Sequence, residues 1–386
     1  MPLNHNLTED QILLRDTVRK FAEEVIRIKS KDLDEKEEFS YDITKQMAEM
    51  GFLGAFLPEE YGGSMLNYIE YIMVVEEISR VDGSQGATVA AHNSLGVGPL
   101  YYYGNEEQKR KYLPKLAAGH LWGFGLTEPE AGSDAGNTQT TAVEDGDDWV
   151  LNGSKIFITN ASTDITLGST VLAVTGEKPN GKKEMSCFLV ENGTPGFETK
   201  KMTGKMMWRA SNTSELYFED CRVPKSCMLG KRGDGFHQML GTLDNGRLSI
   251  AAMGLGCAQG AFDVAMKYAK ERKTFGVPIS CHQANAFKLA DIEMGIELAR
   301  TYLYQTCQML DEGKKITKEG AICKLYCSEI AHTAADHAVQ IHGGYGLMKE
   351  YEAEKYYRDQ KLLEIGEGTS EIQRLVISRE IGCYQK

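Results

Sequence analysis

Residues 126–134 combine side chains and backbone groups that could bind a ligand. The stretch reads Leu-Thr-Glu-Pro-Glu-Ala-Gly-Ser-Asp, and a turn-rich loop of this kind exposes backbone N–H groups and hydroxyls. An ordinary connection between a strand and a turn has a similar composition. Composition alone therefore leaves both interpretations open.

Charged side chains at two other places stand in a setting that suits chemistry. Glu367 lies between Gly366 and Gly368, directly after a short apolar run, whereas a glutamate in so polar a neighbourhood usually lies on the surface. A carboxylate withdrawn from water becomes more basic. Asp244 and Arg247 are three residues apart on a predicted helix, so they share one face and could form an intrahelical salt bridge.

Length and charge limit the classes of protein. The 386 residues predict two or three folding units, and the net charge of −12 argues against a sequence-independent grip on nucleic acid. No uninterrupted apolar stretch approaches the ~18 residues of a membrane span, so we expect none. The N-terminus lacks the pattern of a signal peptide. We expect a cytoplasmic protein, with a processed organelle protein as the alternative.

The nine cysteines include no CxxC pair. Cys323 and Cys327 are four residues apart on a predicted helix, but no cluster of further ligands lies near them in the sequence. We therefore predict no metal site and interpret the cysteines as buried or half-buried thiols.

The elements that must position these residues change type twice along the chain. Residues 1–121 predict helices, with a capping box at 8–11, an apolar helical face at 66–81 and a helix start or break at Pro114. Residues 122–230 predict an antiparallel sandwich or barrel, with a hairpin turn at Asn152-Gly153. The predicted strands of this part include 155–159, 170–174, 186–190 and 215–218.

From residue 231 onward the pattern is helical again. Asp234 is a candidate cap for a long helix to Lys270, and glycines 254 and 256 within it indicate close packing. Further helices are predicted at 283–311, at 317–341 and after Thr369. The patterns thus predict an α+β protein with an N-terminal helical domain (1–121), a middle antiparallel β-domain (122–230) and a C-terminal helical domain (231–386).

Short motifs throughout the chain resemble those of the acyl-CoA dehydrogenase family. Residues 127–134 resemble its T-E-P-x-A-G-S-D segment, and the other matches occur in the family's order and spacing. In the motif KIFITN (155–160), Phe157 stands where the family usually has tryptophan. This replacement keeps an apolar wall and loses an indole N–H. The further motifs are KIFITN (155–160), LDNGR (243–247), RKTFG (272–276), QIHGGYG (340–346) and EGTS (367–370).

The resemblance implies an FAD enzyme whose C-terminal domain is a four-helix bundle. It also implies a homotetramer, because in the family a neighbouring subunit supplies the contacts of the RKTFG and QIHGGYG motifs. Arg272 would meet the pyrophosphate, a use that suits a guanidinium, although a solvated helix end is the alternative for this residue. The implied cofactor contacts are Phe124, Leu126, Thr127, Ser133, Phe157, Thr159, Arg272, Thr274, Phe275, Gln340, Gly344, Thr369 and Glu371.

The resemblance further implies that Glu367 is the base that removes the α-proton of an acyl-CoA thioester while the β-hydrogen leaves to the flavin as hydride. Some relatives carry the base at the position of Gly246, which a glycine cannot fill. The implied substrate contacts are Ala91, Ser133, Asp244, Arg247, Gly366 and Gly368.

Gly366 departs from the straight-chain members of the family, many of which have a tyrosine before the base. A glycine there resembles the isovaleryl-CoA dehydrogenase pattern, and Ala91, which matches the pocket floor, is small as well. We therefore expect a short branched, cyclic or aryl acyl group. The alternative is that a neighbouring side chain fills the gap.

Two other functions remain as alternatives. One is an acyl-CoA oxidase or nitroalkane oxidase-like enzyme on the same fold, and the other is a non-enzymatic flavin-binding assembly or sensor protein. The intact Glu367 and the chain length favour the dehydrogenase. The resemblance implies electron-transferring flavoprotein as the electron acceptor, and a reductive role in an electron-bifurcating complex is the alternative direction.

Overall fold

A computed structural model of the chain describes residues 7–384. Its first part is helical, and Thr8 caps the first helix by accepting a hydrogen bond from the backbone N–H of Gln11, which confirms the capping box. Its helices are α1 (Glu9–Phe21), α2 (Arg27–Lys36), α3 (Tyr41–Glu49), α4 (Tyr68–Ser79), α5 (Gly83–Ala91), α6 (Gly98–Tyr103) and α7 (Glu106–Ala117).

The predicted helix start or break at Pro114 is wrong, because Pro114 lies inside α7. A proline in a helix removes one backbone hydrogen bond. Leu113 and Leu116, on either side of it, are fully buried, and their packing holds the last turn of the helix in place.

A mixed sheet fills the middle of the chain. Its strands are β1 (Leu121–Gly125), β2 (Thr141–Asp145), β3 (Asp148–Thr159), β4 (Thr166–Glu177), β5 (Lys183–Glu191), β6 (Phe197–Lys201), β7 (Thr213–Pro224) and β8 (Met228–Leu229). The strand order is β6-β7-β3-β2-β4-β5-β8, with β1 also paired to β4. Most pairs are antiparallel as expected, but β1 and β2 run parallel to β4, which the sequence did not indicate.

The predicted hairpin turn at Asn152-Gly153 is wrong, because β3 continues through both residues. Gly153 has a φ of +138° and stands at a shift of register against β7. A Cβ atom there would lie 2.7 Å from the Cα of Thr140, so the glycine permits a close approach of backbones. The turn that joins β2 to β3 lies earlier, at Gly146, where φ is +62°.

The C-terminal part is helical and is built around one long central helix. Asp234 occupies the N-cap position of this helix as predicted, but its side chain makes no capping hydrogen bond. A short hairpin, β9 (Lys273–Thr274) with β10 (Val277–Pro278), follows it. The helices are α8 (Gly235–Glu271), α9 (Gln283–Asp311), α10 (Thr317–His342), α11 (Ala353–Asp359) and α12 (Ser370–Glu380).

Close packing at the glycines of α8 is confirmed. A Cβ at Gly254 would lie 2.8 Å from the carbonyl oxygen of Cys327, and one at Gly256 would lie 2.3 Å from that of Glu76. By length and composition α8 could cross a membrane, but 78% of its most apolar stretch is buried inside the fold. Helix α8 is thus the core of the helical part. The exact limits of the three domains stay a prediction.

Candidate active site

Glu367 lies in a strained turn directly before α12. Its φ is +51° and that of Gly368 is +92°, so both residues are in left-handed conformations. For a residue other than glycine such a conformation costs on the order of 1–3 kcal/mol and persists only where the surroundings enforce it. Thr369 ends the turn by capping α12, since its hydroxyl accepts from the backbone N–H of Ile372 at 3.3 Å.

The Glu367 side chain is only half-buried as a whole, yet its Oε2 atom is enclosed. This oxygen has no hydrogen-bond partner among residues 7–384. Burial raises the pKa of the carboxyl to about 7, against the opposing charges of Lys324 and Arg247. A carboxylate with such a pKa is poised to accept a proton near neutral pH.

Gly246 of α8 provides the space for this carboxylate. A Cβ at this position would lie 2.6 Å from the Glu367 Oε2 and 3.5 Å from a methyl carbon of Leu95. Position 246, at which the resemblance implies the base of some relatives, thus points directly at the Glu367 carboxylate.

Asp244 and Arg247 form the salt bridge that their spacing allows. Their Nη1–Oδ1 distance is 2.5 Å, and the hydroxyl of Thr317 donates to the other Asp244 oxygen at 3.1 Å. The Arg247 side chain is buried, and its Nε has no hydrogen-bond partner in the described part of the chain. Contact of this pair with a substrate stays a prediction.

At Gly366, one of the two small residues that we expect beside the substrate, an added Cβ would make only ordinary contacts. A Cβ at Gly366 would first meet the carbonyl oxygen of Leu362 at 3.4 Å, which is an ordinary contact, and the backbone there is not left-handed. Ala91 is half-buried at the end of α5. At Gly368, in contrast, φ is +92°, a conformation that strains any residue other than glycine, and a Cβ would lie 2.7 Å from the side-chain amide nitrogen of Gln373.

The predicted flavin-contacting residues of the β-domain come together where β1 ends beside β3. Phe124 and Leu126 are buried, and Thr127 and Thr159 are half-buried. The Thr127 carbonyl accepts a hydrogen bond from the backbone N–H of Ile156 at 2.9 Å. Farther along the same loop Ser133 is exposed, and at the start of α12 Glu371 is exposed.

A buried ion pair that sequence reasoning missed fixes this loop. Lys155 Nζ lies 2.6 Å from the Glu128 carboxylate, and both side chains are inaccessible to solvent. The same ammonium donates to the carbonyl oxygen of Leu126 at 3.3 Å. Both residues belong to the motifs quoted above, but their pairing depends on the register between two distant segments.

Phe157 faces outward from the sheet. It is 61% exposed, has a φ of +63° and lies within a shift of register between β3 and β7. A bulge of this kind re-aims a side chain. An aromatic ring is thus exposed at this bulge, and its contact with a flavin stays a prediction.

The remaining predicted cofactor residues line a separate open groove of about 730 Å³ at the far end of α8. Arg272, Thr274, Gln340 and Gly344 all border it. Phe275 is 96% exposed on the adjoining hairpin.

This groove is remote from Glu367. Gly246, which faces the Glu367 carboxylate, and Arg272, which directly follows α8, are separated by 26 positions, or about 39 Å along a helix with a rise of about 1.5 Å per residue. The enclosed turn at Glu367 and the open groove at Arg272 are therefore two separate places on the chain.

Comparisons with known proteins match the whole chain. Family models described as the N-terminal, middle and C-terminal domains of acyl-CoA dehydrogenase match residues 8–120, 123–221 and 233–382. A probable acyl-CoA dehydrogenase of Bacillus subtilis is 50% identical over 98% of this chain and 100% of its own length.

Solved structures agree with this match. The butyryl-CoA dehydrogenase of Megasphaera elsdenii has a TM-score of 0.94 at 38% identity, over 98% of this chain and 100% of that chain. A chain from work on the electron transferring flavoprotein of Acidaminococcus fermentans and flavin-based electron bifurcation has a TM-score of 0.94 at 44% identity, with the same coverage.

The residues present fit FAD, the cofactor of this family. Exposed aromatic rings at 157 and 275 offer apolar faces for a flavin, and Arg272 offers a guanidinium for a diphosphate. A Cβ at Gly344 would meet nothing within 4 Å, which leaves its backbone open to a ligand. The chain belongs to the acyl-CoA dehydrogenase family and is an FAD-dependent oxidoreductase that dehydrogenates acyl-CoA thioesters.

Proposed function

We propose that Glu367 is the base that removes the α-proton of the acyl-CoA substrate. The observation that carries this proposal is the enclosed Oε2 atom, which has no hydrogen-bond partner among the described residues. An orphaned buried carboxylate oxygen is costly unless a ligand completes its surroundings. Its pKa of about 7 suits the transfer of a proton from an activated carbon acid.

The turn that carries Glu367 also offers a donor for the thioester oxygen. The backbone N–H of Glu367 donates to no acceptor within residues 7–384. A backbone donor aimed at the carbonyl would stabilise the negative charge that develops as the α-proton leaves. FAD, when bound, supplies the acceptor for the hydrogen that leaves the β-carbon with its electron pair.

Replacement of Glu367 by glutamine tests this proposal. The Glu367→Gln protein should retain FAD and bind butyryl-CoA, yet reduce its flavin slower by a factor on the order of 10²–10⁴, the usual contribution of general-base catalysis. The rate of flavin bleaching after mixing with butyryl-CoA measures the effect. A near-normal rate would place the base elsewhere.

For the substrate, we propose a short branched, cyclic or aryl acyl-CoA. The support is that a Cβ at Gly366 would make only ordinary contacts and that Ala91 is small, because two small residues would widen the pocket beside the reacting carbons without lengthening it. The relative from Megasphaera elsdenii is named for a four-carbon substrate, which agrees with a short pocket. A panel of acyl-CoA thioesters with an artificial electron acceptor tests the preference.

We further propose that the enzyme works as a homotetramer, in which Arg272, Thr274, Phe275, Gln340 and Gly344 of one copy complete the FAD site of another. The support is the distance of about 39 Å along α8 between Gly246 and Arg272, because one FAD beside Glu367 would need the open groove of a second copy. The remaining flavin and substrate contacts follow the family motifs.

Electron-transferring flavoprotein is the proposed electron acceptor, and the cytoplasm is the proposed location. The similar chain from the Acidaminococcus fermentans work on electron bifurcation supports this choice of partner. Reoxidation of the reduced enzyme by such a flavoprotein, measured against reoxidation by oxygen, also separates this function from that of an oxidase.

A further inference from the structure

Lys324 on α10 is fully buried, although it carries a charge and none of the steps above uses it. It lies on the inward face of α10, four residues from the buried Gly320 and four from the buried Ser328. Its ammonium donates to the carbonyl oxygen of Gly368 at 2.8 Å, one residue after the proposed base. A buried ammonium is expensive unless it has a function or a strong partner.

The turn that this ammonium contacts needs outside support, because Glu367 and Gly368 are both left-handed. A second tether comes from Gln373 of α12, whose amide donates to the carbonyl oxygens of Glu367 at 3.2 Å and of Gly368 at 2.9 Å. Two helices thus pin the turn, and only the tether from α10 is charged.

Of the two cations near the Glu367 carboxylate, one is paired with another carboxylate and, among the described residues, the other is not. Arg247 of α8 faces it but is paired with Asp244 at 2.5 Å. Lys324 makes no ion pair in the described part of the chain, and its hydrogen-bond partner is an uncharged carbonyl. The charge of Glu367 also acts on the buried Tyr71 of α4, and the charges of Glu364 and Glu371 act on Lys324.

We propose that Lys324 is a positioning residue for Glu367, which holds the strained turn through the Gly368 carbonyl and presents a positive charge to the carboxylate. This inference rests on the proposed role of Glu367 as the base. Lys324 lowers the pKa of Glu367, opposing the effect of burial. Burial lowers the pKa of Lys324 itself to about 8, so the ammonium stays protonated at neutral pH.

Three variants separate the charge from the tether. Lys324→Gln keeps a donor for the Gly368 carbonyl and removes the charge, whereas Lys324→Met removes both. Gln373→Met is the matched control, because it removes two hydrogen bonds to the same turn and no charge. The measurement is kcat/KM for butyryl-CoA with an artificial electron acceptor from pH 5 to 9, together with FAD content and thermal unfolding.

Loss of the positive charge should raise the pKa of the base. When the pH is lowered, the variants should therefore lose activity earlier, at a higher pH than the wild type. We expect the acidic midpoint to move upward by about one pH unit in both Lys324 variants, within the range for a nearby opposite charge. It should stay at the wild-type value in Gln373→Met, and Lys324→Gln should recover part of the kcat that Lys324→Met loses.

An unchanged acidic midpoint in Lys324→Gln, or an equal shift in Gln373→Met, would overturn the inference. If Lys324→Met does not fold, Lys324→Gln decides the question alone. Failure of the proposed base would be seen separately, as near-normal flavin reduction by Glu367→Gln.

Discussion

The turn at Glu367 and the groove at Arg272 differ in how much of their surroundings one chain supplies. Helices α8, α10 and α12 of the same chain all contact the turn. The groove is open, and Phe275 at its edge is 96% exposed. The difference agrees with the proposals that one chain supplies the groups for proton transfer and that a second copy completes the cofactor site.

The turn at Glu367 should be more sensitive than the groove at Arg272 to a small increase in the volume of a neighbouring side chain. Gly246→Ala would place a methyl group 2.6 Å from the Glu367 Oε2, so the carboxylate must move. A displacement of a reacting group by about 1 Å can cost about 100-fold in rate, and we expect a loss of flavin reduction of this order. FAD content should stay normal, and a rate within threefold of wild type would show that the turn is not tightly fitted.

Position 366, next to Glu367, should tolerate a bulky side chain, but such a side chain should change the substrate selectivity of the enzyme. Gly366→Tyr fits the backbone, since the nearest atom to an added Cβ is 3.4 Å away. Overpacking typically costs about 1–3 kcal/mol, so activity on a branched, cyclic or aryl acyl-CoA should fall roughly 10–100-fold while butyryl-CoA is spared. An equal effect on all substrates, or a wild-type preference for octanoyl-CoA, would refute the proposed pocket shape.

A substitution in the groove at Arg272 should weaken the binding of FAD and have a much smaller effect on the rate of the chemical step. Arg272→Ala would remove the proposed charge-assisted hydrogen bond to a diphosphate, worth about 1.5–3 kcal/mol, so the Kd for FAD should rise by about tenfold or more. Titration of the apoenzyme with FAD measures this effect, and the FAD-saturated variant should reduce its flavin at nearly the wild-type rate. Lys273→Ala, at the exposed neighbouring position, is the matched control and should leave the Kd unchanged.

Sequence reasoning predicted the parts of this molecule that depend on local pattern. The order of helices, strands and helices, the capping box at Thr8 and the long helix through Gly254 all follow from periodicity and local chemistry. The family, FAD and acyl-CoA dehydrogenation followed from motifs, and the comparisons with known proteins confirm them.

What the sequence did not predict depends on contacts between distant segments. The glycine after Asn152 serves the approach of Thr140, so a local turn signal was misleading. The ion pair of Lys155 with Glu128 requires the register of two separate segments. Lys324 did leave a signal, because a lysine on the apolar face of a helix is unusual, but its partner at Gly368 is 44 residues away in the chain.

The central claim is that Glu367, with a pKa raised to about 7 by burial, takes the α-proton. Only the ionised carboxylate can act as the base, so activity should be lost as the pH falls through this value. The most direct measurement is the single-turnover rate of flavin reduction by butyryl-CoA between pH 5 and 9. The account predicts a rate that rises with pH through a midpoint near 7 and then levels off. A rate independent of pH over this range, or the same curve in Glu367→Gln, would contradict it.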